Sequence, residues 1–264
     1  MNNTFNATRF GLLFKKTLLE RPIQMLGFTG MILAVILILY FIIKSIFSIW
    51  MAQSLSFIWG FAGGACLLAS FVFGYFSSNA QGSSYLTLPA SHFEKWLCGV
   101  LIVGVLYPII FLLFFRAMDA SFVALYHNSL DVNNPLYRYQ YDAVHLYSFT
   151  DRFAIKVYHI SVFFCGAAML GSLYFNKVSI VKTALVFCAI FFAAFALNWL
   201  IAKLLFGNIS GAAPFYKVDI LIDKQEGSIE LPEKARQVYD YVSDYIFPIV
   251  LWSLSYIRLR EKEF

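Results

Sequence analysis

Charge is scarce in this chain. Of its 264 residues only 13% are Asp, Glu, Lys or Arg, against roughly 25% in a typical soluble domain. Apolar residues take their place: 60% of the chain is hydrophobic, 19% is aromatic and the mean hydropathy is +0.70. A water-soluble domain of this length has too much surface to hide that excess. Disorder is excluded as well, because it needs low hydrophobicity and abundant charge. Cysteine is also sparse. Cys66, Cys98, Cys165 and Cys188 fall in or beside apolar runs without CxxC spacing, so they read as small packing residues rather than as disulfides or a metal or redox pair. Catalytic signatures are missing: there is no GxxxxGK[ST] phosphate loop, no GxSxG elbow and no HExxH, since His92-Phe93-Glu94 has no second histidine at the required spacing. The chain is therefore expected to be no enzyme, with no cofactor of its own.

What the chain does have is long uncharged stretches. No formal charge occurs between Lys44 and Glu94, or between Lys95 and Arg116. About 20 residues of helix cross the roughly 30 Å of bilayer hydrocarbon, and runs of that length recur near 23–43, 55–76, 97–115, 156–175, 183–206 and 242–259. Their apolar residues are continuous rather than alternating, which selects helices over barrel strands. The sixth run is the shortest, with an uncharged core over 245–257 interrupted by Pro248. The fold class expected is all-α: a polytopic membrane protein forming a single transmembrane domain over 1–264, with six transmembrane helices.

Orientation follows from the basic residues near span ends. With the N-terminus inside, Arg9, Lys15, Lys16, Arg21, Lys95, Lys177, Lys182, Arg258, Arg260 and Lys262 are cytoplasmic, 10 of the 20 Lys and Arg. Number alone does not decide, but these lie in the shorter segments and are therefore denser. The long segments 116–153 and 207–241 then face outside and, with Asp244 at the outer end of the sixth run, hold 11 of the 15 acids. The reading is N-in and C-in. A carrier driven by protons or sodium usually keeps an ionisable group within the bilayer, and none is expected in the middle of the first five spans. The net charge of +5 implies no nucleic-acid partner, since the basic residues flank spans rather than form a patch interleaved with aromatics.

Local patterns add detail. Residues 4–21 form an amphipathic stretch with Phe10, Leu13, Phe14 and Leu18 on one face, the pattern of an interfacial helix in contact with membrane lipid. In the cytoplasmic segment 77–96, Ser91 and Glu94 fit a capping box in which each side chain satisfies the other's free backbone N–H. Pro89 stiffens the approach to it. Gly60, Gly63, Gly64 and Ala65 in the second span permit close helix approach, either within the bundle or at a seam between copies. The outside segment 207–241 opens with a turn-rich piece and ends in a helical pattern that runs into the last span.

This layout resembles the membrane subunit of a type-2 ABC exporter of bacteria. At residue level the similarity rests on Tyr85-Leu86-Thr87-Leu88-Pro89-Ala90-Ser91 followed by Glu94-Lys95, which is similar to the "LP-x-S…K" stretch of many permeases of that family. The resemblance implies a coupling helix over 86–96 that docks on a separately encoded ATPase holding ATP and Mg. Leu88, Pro89, Ser91, Glu94 and Lys95 would be the contact region. It also implies two permease copies, identical or related, and placement in the cytoplasmic (inner) membrane. A rival reading, a non-transporting scaffold or sensor of a signalling or secretion complex, would use the same spans without a force-transmitting helix.

Overall fold

The computed structural model describes residues 5–20, 22–74, 84, 87–175, 178–207, 209–214, 217–222 and 225–261. The described chain is mostly helical. Helix α1 covers Ala7–Glu20 and α2 covers Pro22–Ile46. Only Phe47 and Ser48 separate α2 from α3, Ile49–Val72. That turn closes because the Ser48 hydroxyl accepts the Met51 N–H at 3.3 Å, satisfying one of the free donors at the start of α3. Then come α4, His92–Asn128, the short α5, Tyr137–Asp142, and the long α6, Arg152–Tyr174, and α7, Ser179–Phe206. A last helix, α8, runs over 233–260.

Five of these helices, α2 from Met25 onward, α3, α4, α6 and α7, are long and apolar enough to cross a membrane. The chain is thus a helical multi-pass membrane protein. Several boundaries differ from the sequence expectation. Helix α4 does not stop at Arg116. Its 37 residues make a rod of roughly 55 Å, so the first 13 residues of the segment 116–153 are helix and not loop. The segment 207–241 holds a small antiparallel sheet in the order β1-β2-β3, formed by Ile209–Ala213, Lys217–Ile222 and Gln225–Glu230. The fold is therefore not purely α. Residues 242–259 are helical, but they are not among the five candidate spans.

Three of the long helices contain a single wide π-turn, and proline accounts for two of them. Proline removes an N–H and presses its ring against the carbonyl four residues back. Pro108 and Pro248 place that conflict at Gly104 and Asp244, at the centres of the π-turns Ile102–Leu106 and Val242–Ile246. The third, Trp59–Gly63 in α3, has no proline. Its carbonyls are taken up sideways: Tyr107 Oη donates to Gly60 O at 2.6 Å, and Ser161 Oγ approaches Phe61 O at 3.5 Å.

The core lies where α2, α3, α4 and α6 meet, with Tyr40, Phe57, Phe111, Phe115, Met169 and Leu173 fully enclosed. Lipid tails are as apolar as these side chains, so close packing rather than water exclusion holds membrane helices together. Glycine supplies the fit. A Cβ on Gly60 would overlap the Phe111 ring, and one on Gly64 would overlap the Tyr107 hydroxyl and meet Ile32 Cγ2 at 2.8 Å. Helix α8 lies along α6, with the Trp252 indole over Gly166 and its Nε1 donating to Val162 O at 2.8 Å. Helix α7 meets α6 where Thr183 packs on Gly171 and Phe187 on Phe163, but the most apolar stretch of it has no buried residue.

Candidate functional site

The beginning of α4 is the best-constructed polar site near a helix end. Ser91 and Glu94 form the expected capping box: Glu94 N donates to Ser91 Oγ at 3.2 Å and Ser91 N donates to Glu94 Oε2 at 2.9 Å. The same carboxylate does a second job. Asn6 N donates to Glu94 Oε1 at 2.9 Å, while Arg9 Nε and Nη2 donate to Oε2 and Oε1 at 2.8 and 2.7 Å. Asn6 in turn caps α1, its Oδ1 accepting the Thr8 and Arg9 N–H groups at 3.0 and 3.1 Å. One side chain thus caps its own helix and grips the first turn of another by a two-pronged, charge-assisted pair. That hydrogen bond raises the Arg9 guanidinium further above its already high ordinary value, against a smaller opposing effect of burial, so the arginine stays charged at any physiological pH.

Glu94 and Lys95 are buried, at 0% and 1% exposure. The Glu94 oxygens accept four hydrogen bonds from this chain. Ser91 is buried too and serves as the helix cap. Of the remaining expected contacts, Leu88 packs half-buried against the core and Pro89 is exposed beside Thr87. Tyr85 and Leu86 lie outside the described residues. The residue the sequence reading passed over is Phe93, 39% exposed one position before the buried Glu94. Its ring meets Phe5, Trp96 and Tyr256 with centroids 6.2, 5.9 and 6.0 Å apart. Trp96 Nε1 donates to Ser255 Oγ at 2.9 Å, which ties the same helix start to the end of α8.

The apolar face of α1 is also used differently. Leu13 is buried, and Phe10, Phe14 and Leu18 pack against the chain's own core. Outward-facing Leu12, Leu19, Lys15 and Lys16 are left as the surface available to lipid. Gly60 and Gly64 receive Tyr107 and Phe111 from α4 of the same chain, and Ala65 is buried beside them. They serve intrachain packing rather than a seam between copies. Gly63 meets only the Trp59 ring of its own helix, at 3.6 Å.

A second polar cluster lies 25 residues along α4 from Glu94, roughly 37 Å away at helical rise. Asp119 is wholly buried. Its Oδ1 accepts Tyr40 Oη from α2 and Gln53 Nε2 from α3, both at 2.9 Å, and its Oδ2 accepts the Tyr147 N–H at 2.8 Å. The sequence reading assigned Asp119 to an outside loop by treating Arg116 as the end of the span. The available signal was periodicity: Phe111, Phe115 and Asp119 are four residues apart, on one face of a continuing helix. Among the described residues no group of three His, Cys, Asp or Glu could hold a metal ion. Comparison with family models, with curated proteins and with solved structures returns no match.

Proposed function

We propose that this chain is the permease subunit of an ATP-driven exporter in a bacterial cytoplasmic membrane. It would cross the membrane six times with both ends inside, pair with an identical or related copy, and be driven by a separately encoded ATPase that holds ATP and Mg. The observation that carries the reading is the node at the start of α4. Through Glu94 it is fastened to α1, which leads into α2, and through Trp96 it is fastened to α8. Force applied at this one point reaches three elements. The exposed side of the node, Thr87, Pro89 and Phe93, is the contact surface of this proposal. Ser91 and Glu94 act as positioning residues beneath it.

The chemistry asked of such a subunit is mechanical. A stiff helix start moves as a body, and the bundle shifts between two packings rather than deforming smoothly. The test is purification of the tagged chain in mild detergent, with mass spectrometry of what accompanies it. A stoichiometric phosphate-loop ATPase is expected. Phe93→Ala should weaken its capture by about tenfold or more, as removal of a central aromatic anchor does. Capture of non-ATPase partners alone would favour the scaffold reading, and ATPase capture indifferent to Phe93→Ala would move the contact elsewhere.

A further inference from the structure

We propose that residues 143–151 form a strap across the end of the bundle opposite Glu94, latched by Asp119, and that this strap lifts when the protein opens on that side. What lifting accomplishes rests on the exporter reading; the latch itself does not.

The strap has neither helix nor strand over most of its length, yet its backbone is held at four points by side chains from three helices. His127 Nε2 lies 3.0 Å from Val144 O, and Gln53 Nε2 donates to His145 O at 2.9 Å. Asp119 Oδ2 accepts Tyr147 N at 2.8 Å, and Tyr158 Oη donates to Phe149 O at 2.9 Å. These partly buried backbone groups are held by side chains of α3, α4 and α6. Such attachments can release one by one without unravelling any regular element.

The strap also inserts two rings. Tyr147 and Phe149 pack against the buried Phe57 at centroid distances of 4.7 and 5.8 Å and against Phe115 at 5.6 and 6.2 Å. Arg116 lies over the outer face of Phe149, 4.2 Å from its centroid. The seat is imperfect in one respect: the Tyr147 hydroxyl is buried with no hydrogen-bond partner among the described residues. An unsatisfied buried hydroxyl costs free energy that water restores once the group is exposed. It therefore favours release, while Asp119 favours closure. The three donors to Asp119 come from α2, α3 and the strap itself, so its loss would loosen all three contacts together.

The test is hydrogen–deuterium exchange of the full chain in lipid nanodiscs, with and without its ATPase, following the Tyr147 amide, whose N–H the latch holds. In the resting chain it should exchange slowly. Asp119→Asn replaces one acceptor oxygen with a donor, and should speed that exchange about tenfold, with exchange in the sheet 209–230 unchanged as a check on folding. Tyr158→Phe, a milder change, should act in the same direction. In the complex trapped with nucleotide and vanadate, the wild-type strap should exchange like the Asp119→Asn chain at rest. Slow exchange in both variants would overturn the latch. Slow exchange in a trapped complex that retains its ATPase would overturn the lifting and leave the exporter reading standing. A chain that binds no ATPase would remove the exporter reading and the lifting with it, and the resting-state comparison would still decide the latch.

Discussion

The Tyr107 hydroxyl illustrates how much depends on one atom in this bundle. It fills the slot left by Gly64 and satisfies a carbonyl that the π-turn of α3 leaves available. Gly64→Ala should destabilise the protein by about 1–3 kcal/mol, the usual cost of forcing extra carbon into a filled space. Tyr107→Phe removes the oxygen that the new methyl would strike and should recover part of that loss, at about 1 kcal/mol for its own hydrogen bond. Unfolding of the single and double variants in a detergent titration measures both, and strictly additive effects would mean that the two residues are not in contact. The contact was only half legible in the sequence. Gly60 and Gly64 marked a close approach, but nothing local says which ring enters. The same limit applies to Glu94. Its partnership with Ser91, three residues away, follows from spacing; its partnership with Arg9, 85 residues away, is set by packing that no local pattern encodes.

Among the elements, α1 is the one whose role changes most. Amphipathicity identified the helix, but an apolar stripe looks the same whether it faces lipid or protein. The stripe of Phe10, Leu13, Phe14 and Leu18 faces protein, and Glu94 secures the end of it. Glu94→Ala should therefore free the first turn, and trypsin should cut at Lys15 and Lys16 about tenfold faster than in the parent chain, as expected when charge-assisted bonds holding a helix end are lost. An unchanged rate would mean that the apolar stripe holds α1 by itself. Helix α4 shows the opposite kind of misreading. A charge marks the end of a span for a helix as long as the membrane is thick and not for a rod of roughly 55 Å. The strands β1 to β3 were hidden for another reason: they are short, and the turn-rich composition around them reads as loop.

For the molecule as a whole, the multi-pass helical class was fixed by composition, because no soluble packing could accommodate it. The number of crossings depends on α8. Its apolar part follows Pro248 and is flanked by Asp240 and Asp244 at one end and Arg258 and Arg260 at the other, yet it packs along α6, which crosses. In the proposed arrangement, with the N-terminus inside, six crossings put the C-terminus in the cytoplasm as well. A green fluorescent protein fused after Phe264 should then fluoresce, since it folds in the cytoplasm and not after export through the general secretory route. A dark fusion together with an active periplasmic phosphatase fusion at the same place would mean an odd number of crossings when a tag ahead of Met1 is found inside, and a reversed orientation when it is found outside.

The bond between Arg9 and Glu94 also has a schedule. A growing chain leaves the ribosome N-terminus first, at about 5–20 residues per second. Arg9 therefore emerges roughly 4–17 s before Glu94 at that rate, an interval in which two apolar hairpin helices are delivered to the membrane while α1 still lacks its acid partner. During biosynthesis the N-terminal helix has to wait at the bilayer surface on its own lysines and leucines. Its docking then marks the moment at which the third long helix has arrived.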